Sequence, residues 1–385
     1  MDIKQYFNPV NFTFFTKKIA GKWKYSLGRD IDKSTGKFTV TNIQNVDVVI
    51  LGIPCFEGIW DESKIKSINK IREELYSLAN FSGTLNIVDL GNLKSSTTTK
   101  GTYLALRDIT EFFSELNIVT LILGGSSDLC AGICDAFSKE IFFTFSSIDA
   151  QLDVKKGRES FGSSNYLTHI FMKTPNLFQF NLLGYQRHLV APELFLKTNE
   201  FGNHLSLGEI HDDIKKAEPV LRNTNILAFD IRSVKSAEIA SNNHTNPNGL
   251  QSDEMCQLAK YAGMSNNLKV FGLFETDTKK DRHGITYKLI SQIVWYFFEG
   301  LTFRKNDRGV TGEKVLSYEV EIDGLEKPLK FLFCENSGRW WFEIQSFNNE
   351  KYIIACSEKE YNKALNNEIP DFWLNCVQKI DSILK

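Results

Sequence analysis

The chain has 385 residues, of which 42% are hydrophobic and 24% are charged. This composition is typical of a globular protein, and it excludes a mainly disordered, collagenous or coiled-coil chain. The 45 lysines and arginines nearly balance the 47 aspartates and glutamates, so the formal net charge is -2. Because there is no basic excess to attract a polyanion, we expect no nucleic-acid partner.

Targeting and redox features of the sequence favour a cytoplasmic protein. The apolar stretches at 46–54 and 118–123 are each interrupted by a polar residue, and they fall short of the ~20 residues that a membrane helix needs. The first residues contain no basic stretch followed by an apolar core, so we expect neither a secretory signal nor membrane insertion. Seven cysteines, never spaced as CxxC, favour a reducing compartment.

The first 45 residues show no clear periodicity, whereas the following part of the chain alternates short apolar runs with amphipathic stretches. This alternation is typical of βα units that form a parallel sheet. The predicted strands span 46–52, 85–89, 119–123, 141–148, 181–184, 226–230 and 270–275. Sheets of this kind bind ligands at the carboxyl ends of their strands, so we expect the polar residues found there to converge on one crevice.

After residue 301 the pattern changes to an alternation with a period of two. Four such runs, at 318–323, 329–334, 339–345 and 352–356, are separated by turn residues and predict an antiparallel meander. Two helices are predicted after it, at 358–365 and 371–384. Trp340, Trp341 and Phe342 lie in the third run; core packing is the favoured interpretation, and a binding platform is the alternative.

Three carboxylates follow or end predicted strands, namely Asp149, Asp153 and Asp230. Carboxylates held close together raise one another's pKa, so a cluster of three requires a nearby cation. Hard oxygen ligands of this type suit Mn or Mg. The alternative is that the three side chains only cap loops and helix starts.

A set of short motifs occurs in a definite order along the chain. They read LGIPCFEG at 51–58, IREEL at 71–75, VDLGN at 88–92, LILGGSSD at 121–128, IDAQLD at 148–153, LAFDIR at 227–232, NPNGL at 246–250 and FETD at 274–277. In order and spacing this set resembles the ureohydrolase superfamily of arginase, agmatinase and formimidoylglutamase, and it is closest to the formimidoylglutamase-like branch. The resemblance covers residues 46–301.

The resemblance implies a three-layer α/β/α domain with a mainly parallel sheet. The predicted organisation is an N-terminal extension at 1–45, a ureohydrolase-like α/β domain at 46–305, and a small C-terminal antiparallel β plus α appendage at 306–385.

The family motifs GGDHS, DAHxD and SxDxD hold two manganese ions that share a hydroxide nucleophile. The residues of this chain that match retained metal ligands are Asp149, Asp153 and Asp230. The residues at the positions of lost ligands are Ser127 and Gln151, where the family has His, and Arg232, where it has Asp. Glu275 matches the acidic residue that family enzymes direct at the guanidinium or amidine of the substrate.

Arg232 is the most informative of these departures. If Asp230 and Arg232 lie on one extended segment, their side chains face the same side. The guanidinium would then neutralise Asp149 and Asp230 in place of a second metal ion. Such a tethered cation has no open coordination position and cannot generate hydroxide. The alternative is a solvated surface arginine.

These observations predict a ureohydrolase-like pseudoenzyme that binds no cofactor and acts as a binding or structural component. We expect a homo-oligomer, or a protein partner, with contacts made by the N- or C-terminal additions. The alternative is an active hydrolase of a linear guanidino or formimino C–N bond that uses a single Mn at Asp149, Asp153 and Asp230. In that case Glu275 would orient the substrate, and His169 is the histidine near enough in sequence to serve as base or ligand.

Overall fold

The computed structural model describes residues 3–11, 24–33, 43, 45–199, 202–239, 246–276, 281, 283–305 and 315–385. Part of the predicted extension at 1–45 lies outside the described residues. The same is true of Asp277 in the FETD motif and of residues 306–314 at the start of the predicted appendage.

The strands and helices of the described residues are as follows. The strands are β1 Phe7–Asn8, β2 Asp32–Lys33, β3 Val48–Gly52, β4 Cys55–Phe56, β5 Ile59–Trp60, β6 Ile87–Leu93, β7 Val119–Leu123, β8 Phe143–Ile148, β9 Leu177–Tyr185, β10 Leu205–Ser206, β11 Ile226–Asp230, β12 Val270–Phe274, β13 Val315–Val320, β14 Leu329–Cys334, β15 Arg339–Gln345 and β16 Lys351–Cys356. The helices are α1 Ser63–Ser77, α2 Thr99–Glu115, α3 Cys130–Asp135, α4 Tyr166–Lys173, α5 Pro192–Asn199, α6 Leu207–Asp212, α7 Ala217–Arg222, α8 Ser252–Gly263, α9 Ile285–Thr302, α10 Glu358–Leu365 and α11 Asp371–Leu384.

The large sheet has the strand order β1-β6-β3-β7-β12-β11-β8-β9-β10, and β2 also pairs with β6. Every pairing in it is parallel except that of β1 with β6. Strands β6 and β7 flank β3. Strands β12 and β11, which come later in the sequence, lie between β7 and β8. The carboxyl ends of β7, β12, β11 and β8 are therefore neighbours, as the sequence predicted.

Helices cover both faces of this sheet. On one face, α8 and α9 contribute Leu258 and Ile293 to a continuous buried cluster. On the other, α2 and α3 contribute Ile109 and Ile133 to a second cluster. Strands buried on both sides require apolar residues at successive positions, which is why they read as continuous hydrophobic runs. The predicted three-layer α/β/α fold with a mainly parallel sheet is confirmed.

Strand β9 is much longer than its prediction, which gave it only residues 181–184. It runs over nine residues because its polar positions find buried partners. Gln179 Nε2 donates to the sulfur of Cys376 at 3.3 Å, and Asn181 Nδ2 donates to Ser146 Oγ at 2.9 Å. A polar residue in a buried strand is tolerated once it is hydrogen-bonded, so composition alone underestimates the strand's length.

The predicted antiparallel appendage is also confirmed, with strand order β13-β14-β15-β16 followed by α10 and α11. Strand β13 begins at Val315, earlier than predicted, because Val315 pairs in register with Cys334. The core-packing interpretation of Trp340 and Trp341 on β15 is confirmed. Trp340 stacks on Tyr361 of α10 with ring centroids 4.5 Å apart, and Trp341 is buried.

Arg222 of α7 fixes the appendage to the main domain. Its guanidinium donates to the carbonyl oxygens of Trp340 and Cys356, each at 3.1 Å, and lies 4.7 Å from the ring centre of Trp341. The adjacent Asn223 exchanges two hydrogen bonds of 2.8 Å with the backbone of Ala355. These contacts join the end of α7 to β15 and β16 of the appendage through polar groups.

Within the described ranges, no helix is both long enough and apolar enough to cross a membrane.

A fully buried ion pair fastens α1 to β6. Arg72 Nε donates to Asp89 at 2.8 Å, and the same guanidinium donates to the carbonyl oxygen of Gly91 at 2.7 Å and to Asn92 at 2.8 Å. Gly91 has a φ of 90°, and a Cβ there would lie 2.2 Å from the carbonyl oxygen of Asn8. Only glycine fits this bend of the strand.

We expect Arg72→Met to lower the free energy of unfolding by about 3–5 kcal/mol, because it leaves the Asp89 carboxylate buried without its cation. Urea unfolding followed by circular dichroism measures this loss. The matched control is Arg107→Met, which breaks the more exposed pair with Asp108 and should cost at most about 1 kcal/mol. Equal losses in the two variants would contradict the assigned role.

His204 connects β9 to α5 as a neutral ring. Its Nδ1 accepts the backbone N–H of Leu182 at 3.0 Å, and its Nε2 lies 3.1 Å from the carbonyl oxygen of Thr198. Burial lowers the pKa of this imidazole to about 4. Because the unfolded chain binds the proton more readily, the stability that His204 contributes is present above pH 6.5 and is lost as the pH falls toward 4.

From pH 7 to pH 5, the wild-type chain should lose about 2 kcal/mol of unfolding free energy relative to His204→Asn, which does not titrate. Urea unfolding of both proteins at the two pH values measures the difference and removes the contributions of all other groups. A stability difference that does not change with pH would overturn this assignment.

Candidate functional site

The predicted site residues come from the carboxyl ends of β7, β8, β11 and β12. They are Ser127, Asp149, Gln151, Asp153, Asp230, Arg232 and Glu275. Asp149, Asp153, Asp230 and Ser127 are buried, whereas Gln151 is exposed. The strand ends thus gather the charged members of the set into one crevice, as parallel-sheet geometry requires.

A glycine turn after β7 brings Ser127 to Glu275. Gly125 has a φ of 84°, and a Cβ there would lie 2.3 Å from Leu129. Its carbonyl oxygen accepts the backbone N–H of Glu275 at 2.9 Å, and the N–H of Ser127 donates to Glu275 Oε1 at 3.0 Å. Glu275 itself has a φ of 58°. A non-glycine residue in this region is strained, so these hydrogen bonds hold it there.

Asp149 and Asp153 lie in the loop that follows β8. Asp149 accepts the N–H of Gln151 at 2.9 Å. Burial, and then the charges of Asp153 and Asp230, raise the pKa of Asp149 well above its usual value. Burial and Asp230 also raise the pKa of Asp153 to about 7, while Arg232 lowers it. Within the described part of the chain, Asp153 Oδ2 is buried without a hydrogen-bond partner.

Arg232 binds Asp230 with both oxygens engaged. Nη2 donates to Asp230 Oδ2 at 2.6 Å, Nε lies 3.1 Å from each oxygen, and the backbone N–H of Arg232 donates to Oδ1 at 2.7 Å. Nη1 lies 3.6 Å from Glu275 Oε2. Burial alone lowers the pKa of this guanidinium, but Asp230 and Glu275 outweigh it and raise the pKa, so the group stays charged.

Two details of the Arg232 prediction are wrong. Arg232 does not lie on an extended strand; it lies in the single 3₁₀ turn Ile231–Ser233, which the Asp230 side chain caps. Its second ion-pair partner is Glu275 rather than Asp149, because the turn carries the guanidinium toward the end of β12. Asp149 is affected only through the field of the charge, which lowers its pKa.

The surroundings of Glu275 act on its pKa in opposite directions. Burial raises its pKa to about 7, with Asp230 adding to the rise, while Arg232 and the N–H of Ser127 act against it. Its carboxylate is 12% exposed and so retains a little access to the crevice.

His169 lies on the surface and does not join the cluster through any contact found in the described residues. It is exposed, and its ring lies 5.2 Å from that of Phe161. In the described residues, no group of three or more His, Cys, Asp and Glu side chains is arranged so that it could hold a metal ion.

A polar network beside the site was not predicted. Ser126 Oγ accepts the N–H of Glu57 at 2.6 Å, and both Ser126 and Tyr103 donate to the carboxylate of Asp128. Glu57 also accepts from Ser163 at 2.9 Å. The Glu57–Gly58 pair is a turn signal in the sequence, but the hydrogen-bond partners of Glu57 come from segments distant in sequence.

The sequence matches no protein-family model and no curated protein sequence. Solved structures do match. Formiminoglutamase of Trypanosoma cruzi with Mn²⁺ is 17% identical, with a TM-score of 0.61, over 70% of this chain and 97% of that one. Formimidoylglutamase of Bacillus subtilis is 14% identical, with a TM-score of 0.62, over 75% and 99%. Agmatine ureohydrolase of Thermoplasma volcanium is 14% identical, with a TM-score of 0.55, over 67% and 90%.

This chain has the fold of the arginase superfamily. The resemblance read from the ordered motifs is thereby confirmed at the level of fold. At 14–17% identity, the likeness shows the fold alone, and the activity has to be argued from the residues themselves.

Proposed function

We propose that this chain is a ureohydrolase-like pseudoenzyme that has lost the two-metal centre and acts as a binding or structural component. The observation that carries the proposal is the ion pair between Arg232 and Asp230. Both carboxylate oxygens of Asp230 accept from the guanidinium, so neither is left to coordinate a metal without displacing it.

The chemistry of the donor set supports the same conclusion. A guanidinium carries N–H donors and no acceptor, and it does not lose its proton, so Arg232 cannot be a metal ligand. Ser127 and Gln151 offer neutral oxygens where imidazoles would be expected, and Gln151 is exposed. These residues do not fit a pair of divalent ions. A positive charge beside Asp230 would also repel an ion placed there.

Loss of the metals removes the nucleophile. Metal-bound water ionises near neutral pH because the cation stabilises hydroxide, and a guanidinium has no coordination position for water. The ion pair therefore balances the charge of the carboxylates without supplying the hydroxide that amidine hydrolysis needs.

The second candidate function is a hydrolase of a linear guanidino or formimino C–N bond with a single Mn at Asp149, Asp153 and Asp230. It is favoured by the buried oxygen of Asp153 that has no partner among the described residues. It requires Arg232, whose side chain is 33% exposed, to leave Asp230 and turn toward solvent. Glu275 would then orient the substrate cation.

The proposal places partner contacts on the N- and C-terminal additions, in a homo-oligomer or a complex with another protein in the cytoplasm. Arg222 and Asn223 hold the appendage against the main domain. Among its described side chains, Phe347 and Leu365 are exposed.

The deciding measurement is the metal content of the chain purified from Mn-supplemented medium, together with release of urea or formamide from arginine, agmatine and formiminoglutamate. We expect substoichiometric metal and no product. The single-metal hydrolase instead predicts about one Mn per chain, lost in Asp230→Asn and kept in the control Asp371→Asn, whose side chain is exposed at the start of α11. Two Mn ions per chain would overturn the pseudoenzyme proposal.

Restoring the missing ligands tests whether Arg232 blocks the metals. The triple variant Ser127→His, Gln151→His and Arg232→Asp should bind Mn at least about tenfold more tightly than the double variant that keeps Arg232. Isothermal titration with MnCl₂ measures both. If the double variant binds Mn as tightly as the triple variant, Arg232 is not the obstacle.

A further inference from the structure

A cavity of about 340 Å³ lies between the main domain and the C-terminal helix α11. Its apolar wall includes Phe171 of α4, Leu177 and Phe180 of β9, and Leu194 of α5. Phe171 and Phe180 meet edge to face with ring centroids 5.2 Å apart, and Phe180 is fully buried. The volume falls within the ~300–1,000 Å³ of small-molecule sites, and its aromatic wall is already packed.

The charged side chains among the described residues that line this cavity are both lysines. Lys155 is exposed at the rim, where its backbone N–H donates to Thr168 Oγ1 at 2.7 Å. Lys379 is half-buried on α11, and burial lowers the pKa of its ammonium. Because the described lining has two ammonium groups and no carboxylate, it favours an anionic ligand, and a charge-assisted contact is stronger than a neutral one.

We propose that this cavity binds a small molecule with an apolar, aromatic body and a carboxylate head. The body packs against Phe171 and Phe180, and the carboxylate faces Lys155 and Lys379. The cavity is separate from the strand-end crevice, because Asp230 and Glu275 do not line it. The inference therefore does not depend on the proposed function.

The site also bridges two parts of the fold. Lys379 belongs to the appendage, whereas the aromatic wall and Lys155 belong to the main domain. A ligand held by both parts stabilises their contact, in addition to the Gln179–Cys376 hydrogen bond that joins β9 to α11.

The test uses 4-phenylbutyrate as the probe and 4-phenylbutanol as a neutral molecule of nearly the same size. Isothermal titration of the full chain at pH 7 should show saturable binding of the acid, with a Kd at least about tenfold below that of the alcohol. Absence of saturable binding, or equal affinity for the acid and the alcohol, overturns the proposal.

Variants locate the binding. Lys379→Met removes the charge and keeps an apolar stem, so the Kd of the acid should rise about fivefold or more while that of the alcohol stays the same. Lys155→Met should also raise the Kd of the acid. This second variant tests the proposal even if α11 does not tolerate the first change. The control is Lys173→Met, an exposed lysine of α4 outside the lining. Unchanged acid binding in both lysine variants overturns the assignment.

Discussion

The guanidinium of Arg232 supplies the positive charge that the strand-end cluster requires. Asp149, Asp153 and Asp230 are all buried, and each loses hydration and feels the charge of its neighbours. Arg232 pairs with Asp230 at the end of β11 and reaches Glu275 at the end of β12. One tethered cation thus pairs with acidic side chains from two neighbouring strands.

Buried arginines perform related work elsewhere in the fold. Arg72 satisfies a carboxylate, a strand carbonyl and an amide at the bend of β6, and Arg222 satisfies two carbonyl oxygens of the appendage. A planar group with five donors can satisfy several acceptors that a strand or a loop leaves open. Each arginine therefore joins elements in a defined register, which hydrophobic packing alone does not fix.

The sequence predicted the parts of the fold that have a periodic signal. β7, β11, β14 and β15, and the helices α10 and α11, have the predicted bounds because their apolar spacing matches one secondary structure throughout. The two-residue strands β1, β2 and β10 are too short for any period. The length of β9 depends on Cys376 and Ser146, which are remote in sequence from Gln179 and Asn181. The convergence of the site carboxylates was predictable from parallel topology, whereas the pairing of Arg232 with Glu275 depends on a local turn.

The strand-end crevice and the lysine-lined cavity share one segment of chain. Asp153 turns its carboxylate into the crevice, its carbonyl oxygen accepts the N–H of Leu167 at 3.1 Å, and Lys155 follows two residues later at the cavity rim. The backbone between them is fixed to α4 at both points, since the N–H of Lys155 donates to Thr168. A ligand in the cavity and the charge arrangement at the strand ends therefore act on the same short loop. Because α4 holds that loop at both ends, displacement of Lys155 by a ligand is opposed by the hydrogen bonds that also position Asp153.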